Sequence, residues 1–297
     1  KEHYGFLSYK IDVAVKYTSE KAIYEAAGFP FIAPELRDNK LEWKLAEKNQ
    51  LNDLVELKDI KGVVHSHSKY SDGANTLKEL ATYCKEQGFE YLVISDHSKS
   101  AFYANGMKEE NIIAQHAEIE QLNKQLFPFK IFKSVESDIL YDGQLDYADD
   151  VLKTFDMVIA SVHSQLKMTE EKAMQRLIKA IENPYTNILG HMTGRLLLSR
   201  EGYPVDHKKI IDACASNDVC IELNANPYRL DIDYSWIDYC QEKNVLISVN
   251  PDAHNLRGVH DIKYGVSAAR KGGLLKENTL NSLTKDNFER RINNKNR

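Results

Sequence analysis

Cysteine is scarce in this chain, and its spacing suggests no pairing. Four residues, Cys84, Cys214, Cys220 and Cys240, are scattered over 297 positions. The absence of CxxC or finger-like spacing argues against a disulfide-stapled scaffold and a Cys-based zinc module. It reads as reduced, mostly buried thiols, as expected of a cytoplasmic protein. Long apolar runs are missing as well. No stretch approaches the roughly 20 apolar residues of a membrane span, and none reads as the apolar core of a signal peptide, so no membrane partner is expected. Positive charge is not in excess: 39 Lys and Arg against 44 Asp and Glu leave a formal charge of −5. No global field therefore draws nucleic acid, although a local basic patch or a metal-screened phosphate site is compatible with that balance. Low-complexity tracts and solenoid-period repeats are absent. The first residue is Lys1 rather than Met, as in a piece of a longer chain.

What is present is a globular composition, 28% charged and 42% hydrophobic, in a chain long enough to bury a large core without staples. From residue 61 onward, short apolar or β-branched runs (63–67, 91–95, 129–135, 157–162, 187–190, 219–223 and 245–249) alternate with helix-like segments. The helices fall near 76–87, 108–126, 147–154, 170–182, 206–216 and 234–243, with more helix near 263–271 and 284–293. Thr76 followed by Glu79 has the form of a capping box, and Gly88 that of a stop. Thr169 opens another helix, and Asn183-Pro184 closes it. Strict β/α alternation implies a parallel sheet with right-handed crossovers. Seven strands covered on both faces predict a closed or nearly closed barrel more than an open sheet, a choice that periodicity alone does not make. Residues 1–60 differ: a strand-like 7–15, a short helix at 19–27, then Pro30 and Pro34, which exclude a continuous helix there. They read as a lead-in packed on the barrel.

In such barrels chemistry sits at the C-terminal ends of the strands. Six of the ten histidines fall there: His65, His67, His97, His163, His191 and His254. Asp72, Glu136 and Asp252 join them at the same level. Neutral imidazole and carboxylate are the ligand set for Zn, Mn or Fe. Nine ligands exceed what one ion needs, so two or three divalent ions are expected, with Glu136 a natural bridge. Taken singly, each residue has an ordinary explanation. A His-x-His on a strand points two rings to one face, His97 could cap a helix, Asp72-Gly73 could be a turn, and Glu136 and Asp138 could be solvated loop acids. It is their coincidence at one end of consecutive strands that packing does not produce.

With these residues in place, the chain from about 61 to 290 resembles the PHP (polymerase and histidinol phosphatase) family. His65-Ser66-His67, Ser71-Asp72-Gly73, Asp96-His97-Ser98, Glu136, His163, His191 and Asp252-Ala253-His254 match its signature elements. The resemblance implies a distorted, TIM-barrel-like (β/α)7 barrel with a trinuclear metal centre. In it His65, His67, Glu136 and Asp252 hold one ion, Glu136, His163 and His191 a second, and Asp72, His97 and His254 a third. Three further stretches are similar to the C-terminal PHP module of bacterial family X DNA polymerases: 142–147, 191–197 and 222–231. The segment from Glu20 to Arg37 resembles the connector that joins polymerase to PHP there, which divides the chain at 1–60 and 61–297. A polymerase domain upstream is thus a possible partner, although no polymerase acidic triad stands in this chain. One departure is Val63, where the family commonly has an Asp that orients an imidazole.

The chemistry so implied is phosphoester hydrolysis by a hydroxide bridging two ions at Glu136. Arg195 and Arg229, beyond the fifth and sixth strands, are candidates to clamp a phosphate, with surface ion pairs as their plainer reading. Asp96 is a candidate for orienting a neighbour or moving a proton, with a helix cap as the alternative. The expected substrate is a DNA 3′ end, as for a 3′–5′ exonuclease. The alternatives are a small phosphorylated molecule such as histidinol phosphate, or a non-catalytic scaffold for a polymerase.

Overall fold

A computed structural model describes residues 2–12, 14–38 and 41–295. The lead-in holds three short helices, α1 (Glu2–Ser8), α2 (Glu20–Ala26) and α3 (Glu42–Glu47). From there strand and helix alternate: β1 (Gly62–Val63), α4 (Leu77–Glu86), β2 (Tyr91–Ile94), α5 (Glu109–Leu126), β3 (Lys130–Asp138), α6 (Asp149–Leu152) and β4 (Met157–Ser161). The series continues through α7 (Glu170–Ile181), β5 (Thr186–Leu189), α8 (His207–Ser216), β6 (Cys220–Asn224), α9 (Ile237–Glu242) and β7 (Ile247–Asn250). Two more helices follow, α10 (Ile262–Lys271) and α11 (Lys285–Lys295). The strands lie in chain order, and every neighbouring pair is parallel. This is the expected α/β barrel of seven strands.

Alternation along the strands sorts side chains into two layers. Leu92, Ile94, Ile131, Val135, Val158, Ile221 and Val249 belong to the apolar layer shared with the helices. Tyr91, Val93, Phe132, Met157, Ile159, Ile188 and Cys220 form a second cluster with Phe288 and Ile292 of α11. Phe288 stacks on Tyr91 with ring centroids 4.5 Å apart. α11 therefore plugs the N-terminal end of the barrel. Above that plug the inward positions turn polar, through Ser134, Ser161, Ser248 and Asn250, all buried.

β1 and β7 meet only at the top, through a parallel bridge between Ser66 and Ala253. Lower down, buried Asn281 fills the seam. Its side-chain amide donates to the Val249 carbonyl (2.7 Å) and, more weakly, to that of Gly62 (3.4 Å), while its Oδ1 accepts from the Val249 N–H (3.1 Å). Asn281→Ala strips partners from several buried main-chain groups at once. It is expected to cost about 3 kcal/mol, read as a lower urea midpoint with an unchanged slope.

The capping box at Thr76 and Glu79 is present, with Glu79 N to Thr76 Oγ1 at 3.2 Å and Thr76 N to Glu79 Oε2 at 2.8 Å. Two expectations are corrected. The stretch 7–15 is not a strand among its described residues: Leu7 and Ser8 end helix α1 and turns follow, while Val13 lies outside the described residues. Leu7 is buried with Tyr24, Ile32, Leu36, Leu45, Leu54 and Leu275, so the short apolar run serves a local cluster rather than a sheet edge. The run 63–67 leaves the sheet after Val63, because His65 takes a left-handed backbone (φ 65°). Ion pairs from Glu35 to Arg270 (2.7 Å) and from Lys44 to Asp238 (2.8 Å) hold the lead-in against α10 and α9.

Candidate metal centre

The site forms where the strands end. His65 and His67 follow β1, His97 follows β2, Glu136 and Asp138 lie on the last turn of the β3 pleat, and His163 follows β4. His191 follows β5, and Asp252 and His254 follow β7. Like His65, Asp252 has a positive φ, 51°. Local backbone strain of this kind collects where side chains must be aimed.

Glu136 is the hub, and it is buried. Its Oε1 lies 3.0 Å from His191 Nε2, 3.1 Å from His163 Nε2 and 3.2 Å from His65 Nε2. Its Oε2 lies 3.0 Å from His97 Nδ1 and 3.7 Å from His67 Nε2. His67 Nε2 also sits 3.1 Å from Asp252 Oδ1. On the open side Asp72 Oδ1 is 3.5 Å from His254 Nε2 and 3.8 Å from His97 Nε2. All nine sequence-predicted ligand residues thus join one chain of contacts. The bowl is sealed at Glu136 and open to solvent at Asp72 and His254.

Three groups have ligand atoms within 4.8 Å of one another: His65, His67 and Asp252; His67, Asp72, His97 and His254; and His97, Glu136 and His163. They overlap the three sets implied by the family resemblance, with His67 and His97 each shared between two groups. The donors fit divalent ions for a further reason. His65 Nε2, His97 Nδ1 and Glu136 Oε2 are buried and lack a hydrogen bond among the described residues, although carboxylate and imidazole stand close together. Buried polar atoms are rarely left so, and here they converge without aligning on one another.

Charge is arranged to match. Burial opposes ionisation of Glu136, but His163, His65 and His97 hold its carboxyl well below the usual range. Asp252 is held low in the same way by His65 and His67. Burial, with His97 nearby, lowers His67 to about 3. His163 goes the other way, to about 10, because Glu136 and Asp138 overcome its burial. His254 rises to about 9, its burial outweighed by Asp72 and Asp252. At pH 7 the metal-free protein therefore carries protons on His163 and His254 that a cation must displace. Loading with Mn2+ is expected to release protons and to tighten as pH rises from 7 toward 9. Calorimetry in two buffers of different ionisation enthalpy measures this, and a heat that does not depend on the buffer would contradict it.

The ligands are themselves held. Asp138 Oδ1 meets His163 Nδ1 at 2.5 Å, and Ser100 Oγ donates to Asp138 Oδ2 at 2.9 Å. Glu222 Oε1 accepts from His65 Nδ1 (2.9 Å) and from Asn224 Nδ2 (3.2 Å), and its Oε2 accepts from the His191 backbone N–H (2.9 Å). Asn224 Nδ2 also donates to Asp252 Oδ2 (3.1 Å). Only glycine fits at 190, where a Cβ would stand 2.2 Å from Ser161 Oγ and 3.0 Å from Glu222 Oε2. Val63 lies in the outer apolar layer, and the carboxylate that orients His65 comes from Glu222 instead. Glu222 and Asn224 were not singled out as site residues from the sequence. The available signal was two polar residues at i and i+2 inside an apolar strand, which share the inward face.

The remaining candidates stand apart from Glu136. Asp96 is saturated by donors, Ser68 N and Oγ and Gln115 Nε2 at 2.7 Å each and Ser71 Oγ at 2.6 Å, so it fixes the loop that carries Asp72. Arg195 is committed to the 229–233 loop, through the Arg229 carbonyl (2.9 Å), the Leu230 carbonyl and Asp233 Oδ2 (2.9 Å). Arg229 itself lies at the site, with Nε 3.8 Å from Asp252 Oδ2.

Residues 64–226 match the PHP domain family. The chain belongs to that family. It is 40% identical over 286 residues to the DNA polymerase/3′-5′ exonuclease PolX of Bacillus subtilis, a match that covers 96% of this chain and 50% of the relative. This PHP chain thus spans about half the length of that curated relative. The fold is shared with the histidinol phosphate phosphatase of Lactococcus lactis, solved with zinc, L-histidinol and phosphate. The two superpose with a TM-score of 0.53 at 19% identity, over 72% of this chain and 94% of that one. No helix among the described residues is long and apolar enough to cross a membrane.

Proposed function

We propose that this chain is a metal-dependent phosphoesterase that removes nucleotides from DNA 3′ ends, as a 3′–5′ exonuclease. The observation that carries the reading is the buried Glu136 carboxylate facing five imidazoles at the mouth of the barrel. Its likeness to the polymerase/exonuclease relative extends over nearly the whole chain, lead-in included. That supports DNA over a small phosphate ester. It also supports reading residues 1–60 as a connector from a polymerase domain to the PHP unit at 61–297.

His65, His67, Asp72, His97, Glu136, His163, His191, Asp252 and His254 would hold two or three divalent ions, Zn, Mn or Fe. An ion bound there supplies Lewis acidity and brings the pKa of a bound water toward neutrality. The rest falls to the chain. Glu222 and Asp138 keep the Nε2 atoms of His65 and His163 turned inward, since an ionised carboxylate only accepts and so fixes each ring with Nδ1–H outward. Arg229 stands beside Asp252 as the group that pairs with a phosphate oxygen. Arg195 keeps the Arg229 loop in place, and Asp96 does the same for the Asp72 loop.

The test is a Mn2+-supplied assay on 3′-labelled single-stranded DNA beside histidinol phosphate, each repeated with a chelator. Turnover of DNA that the chelator abolishes is expected. Turnover of histidinol phosphate alone would move the assignment to a small-molecule phosphatase, and turnover of neither would leave a scaffold.

A further inference from the structure

The loop between β2 and α5 is held too firmly for its surface to be accidental. Ala101, Ala104 and Met107 are fully buried. Backbone bonds run from Ala101 N to Ser98 O (3.0 Å), Gly106 N to Ala101 O (3.1 Å) and Met107 N to His97 O (2.8 Å). Ser98 N donates to the Glu136 carbonyl (3.0 Å), Ser98 Oγ accepts from Asp138 N (2.9 Å), and Ser100 N donates to Asp146 Oδ2 (2.6 Å). This fixed loop nevertheless turns two consecutive aromatic rings outward: Phe102 is 87% exposed and Tyr103 69%. The Tyr103 ring overhangs the site, its centroid 6.2 Å from that of His97 and 6.5 Å from that of His163. Scattered apolar residues on a surface need no explanation. An exposed ring on a firmly held loop, beside the ligands of a candidate reaction centre, does.

We propose that Tyr103 is the platform on which the 3′-terminal nucleobase stacks, so that the scissile phosphoester beside that base is delivered to the Glu136 cluster. The inference rests on the exonuclease reading and adds the recognition element that distinguishes a nucleotide from a phosphate ester without a base. Base stacking on an aromatic ring tolerates any sequence, because every base has a π-face. A loop backbone already held in place loses little freedom on contact.

The experiment compares two single-stranded oligonucleotides in Mn2+. One ends in an ordinary 3′ nucleotide, and the other ends in a 3′ tetrahydrofuran abasic unit. Wild-type enzyme should show the lower KM on the base-bearing end. Tyr103→Ala should raise KM there by about tenfold to a hundredfold, with a much smaller change in kcat and little further loss on the abasic end. Tyr103→Phe, which keeps the ring, should behave as wild type. Phe127→Ala, which removes an exposed ring at the opposite end of the barrel, should change neither substrate. If wild type degrades DNA and Tyr103→Ala affects both ends equally or neither, stacking is overturned and the exonuclease reading stands. If wild type degrades neither oligonucleotide, both are overturned.

Discussion

Glu136→Gln is expected to abolish phosphoester hydrolysis, with kcat falling by about 10³-fold or more, at least what a single preorganised electrostatic partner contributes. The substitution keeps size and burial, removes the charge and turns one acceptor oxygen into an NH2 donor. Five imidazoles lie within 3.7 Å of this carboxylate, and no other group in the cluster faces as many. The fold should survive the change. His163 retains Asp138 and His65 retains Glu222 as partners, and rings that lose the Glu136 charge can turn neutral at lower cost than a fixed ion. The expected outcome is a native circular dichroism spectrum, reduced metal content by elemental analysis, and no recovery of activity when metal is added in excess. Turnover within tenfold of wild type would remove Glu136 from the centre of the site.

The sequence made the barrel and its loaded rim legible because both rest on periodicity. β/α alternation carries the parallel sheet, and six histidines at strand ends carry the cluster. Its limits are equally physical. The 7–15 run is short enough that alternation and a helical face look alike, and packing against Tyr24, Ile32 and Leu36 decided it. The 63–67 run was read as a strand with both rings on one face. In the structure His65 reaches the site by leaving the sheet through a left-handed turn, which no pattern of side chains announces. Asp96 was singled out beside His97, and Arg195 for its place beyond the fifth strand. Asp96 is taken up by Ser68, Ser71 and Gln115 and Arg195 by the 229–233 loop, and hydrogen-bond partners distant in sequence are invisible to local reading. Tyr103 was missed for the converse reason: an aromatic in a loop carries meaning only once its distance to the ligands is known.

Glu222→Ala should lower metal affinity by about 10- to 100-fold, the usual cost of losing a partner that orients a ligand, while activity returns toward wild type in excess Mn2+. That recovery separates it from Glu136→Gln. The single Glu222 carboxylate makes three contacts that set the site. It fixes His65 with Nδ1–H outward and Nε2 inward, it holds the His191 main chain, and it shares Asn224 with Asp252. Removing it frees one imidazole to choose the wrong tautomer and lets the β5 end drift over Gly190. Glu222→Gln is not a conservative substitute. Its oxygen can still accept from His65 Nδ1, but its NH2 then confronts the His191 N–H, donor against donor. Both variants are therefore expected to need more metal than wild type, with Gln keeping His65 in place and failing at His191. A metal-activation curve for Glu222→Ala that overlays wild type would show that His65 is oriented by its packing alone, and Glu222 would then be only a buried acid satisfied by its neighbours.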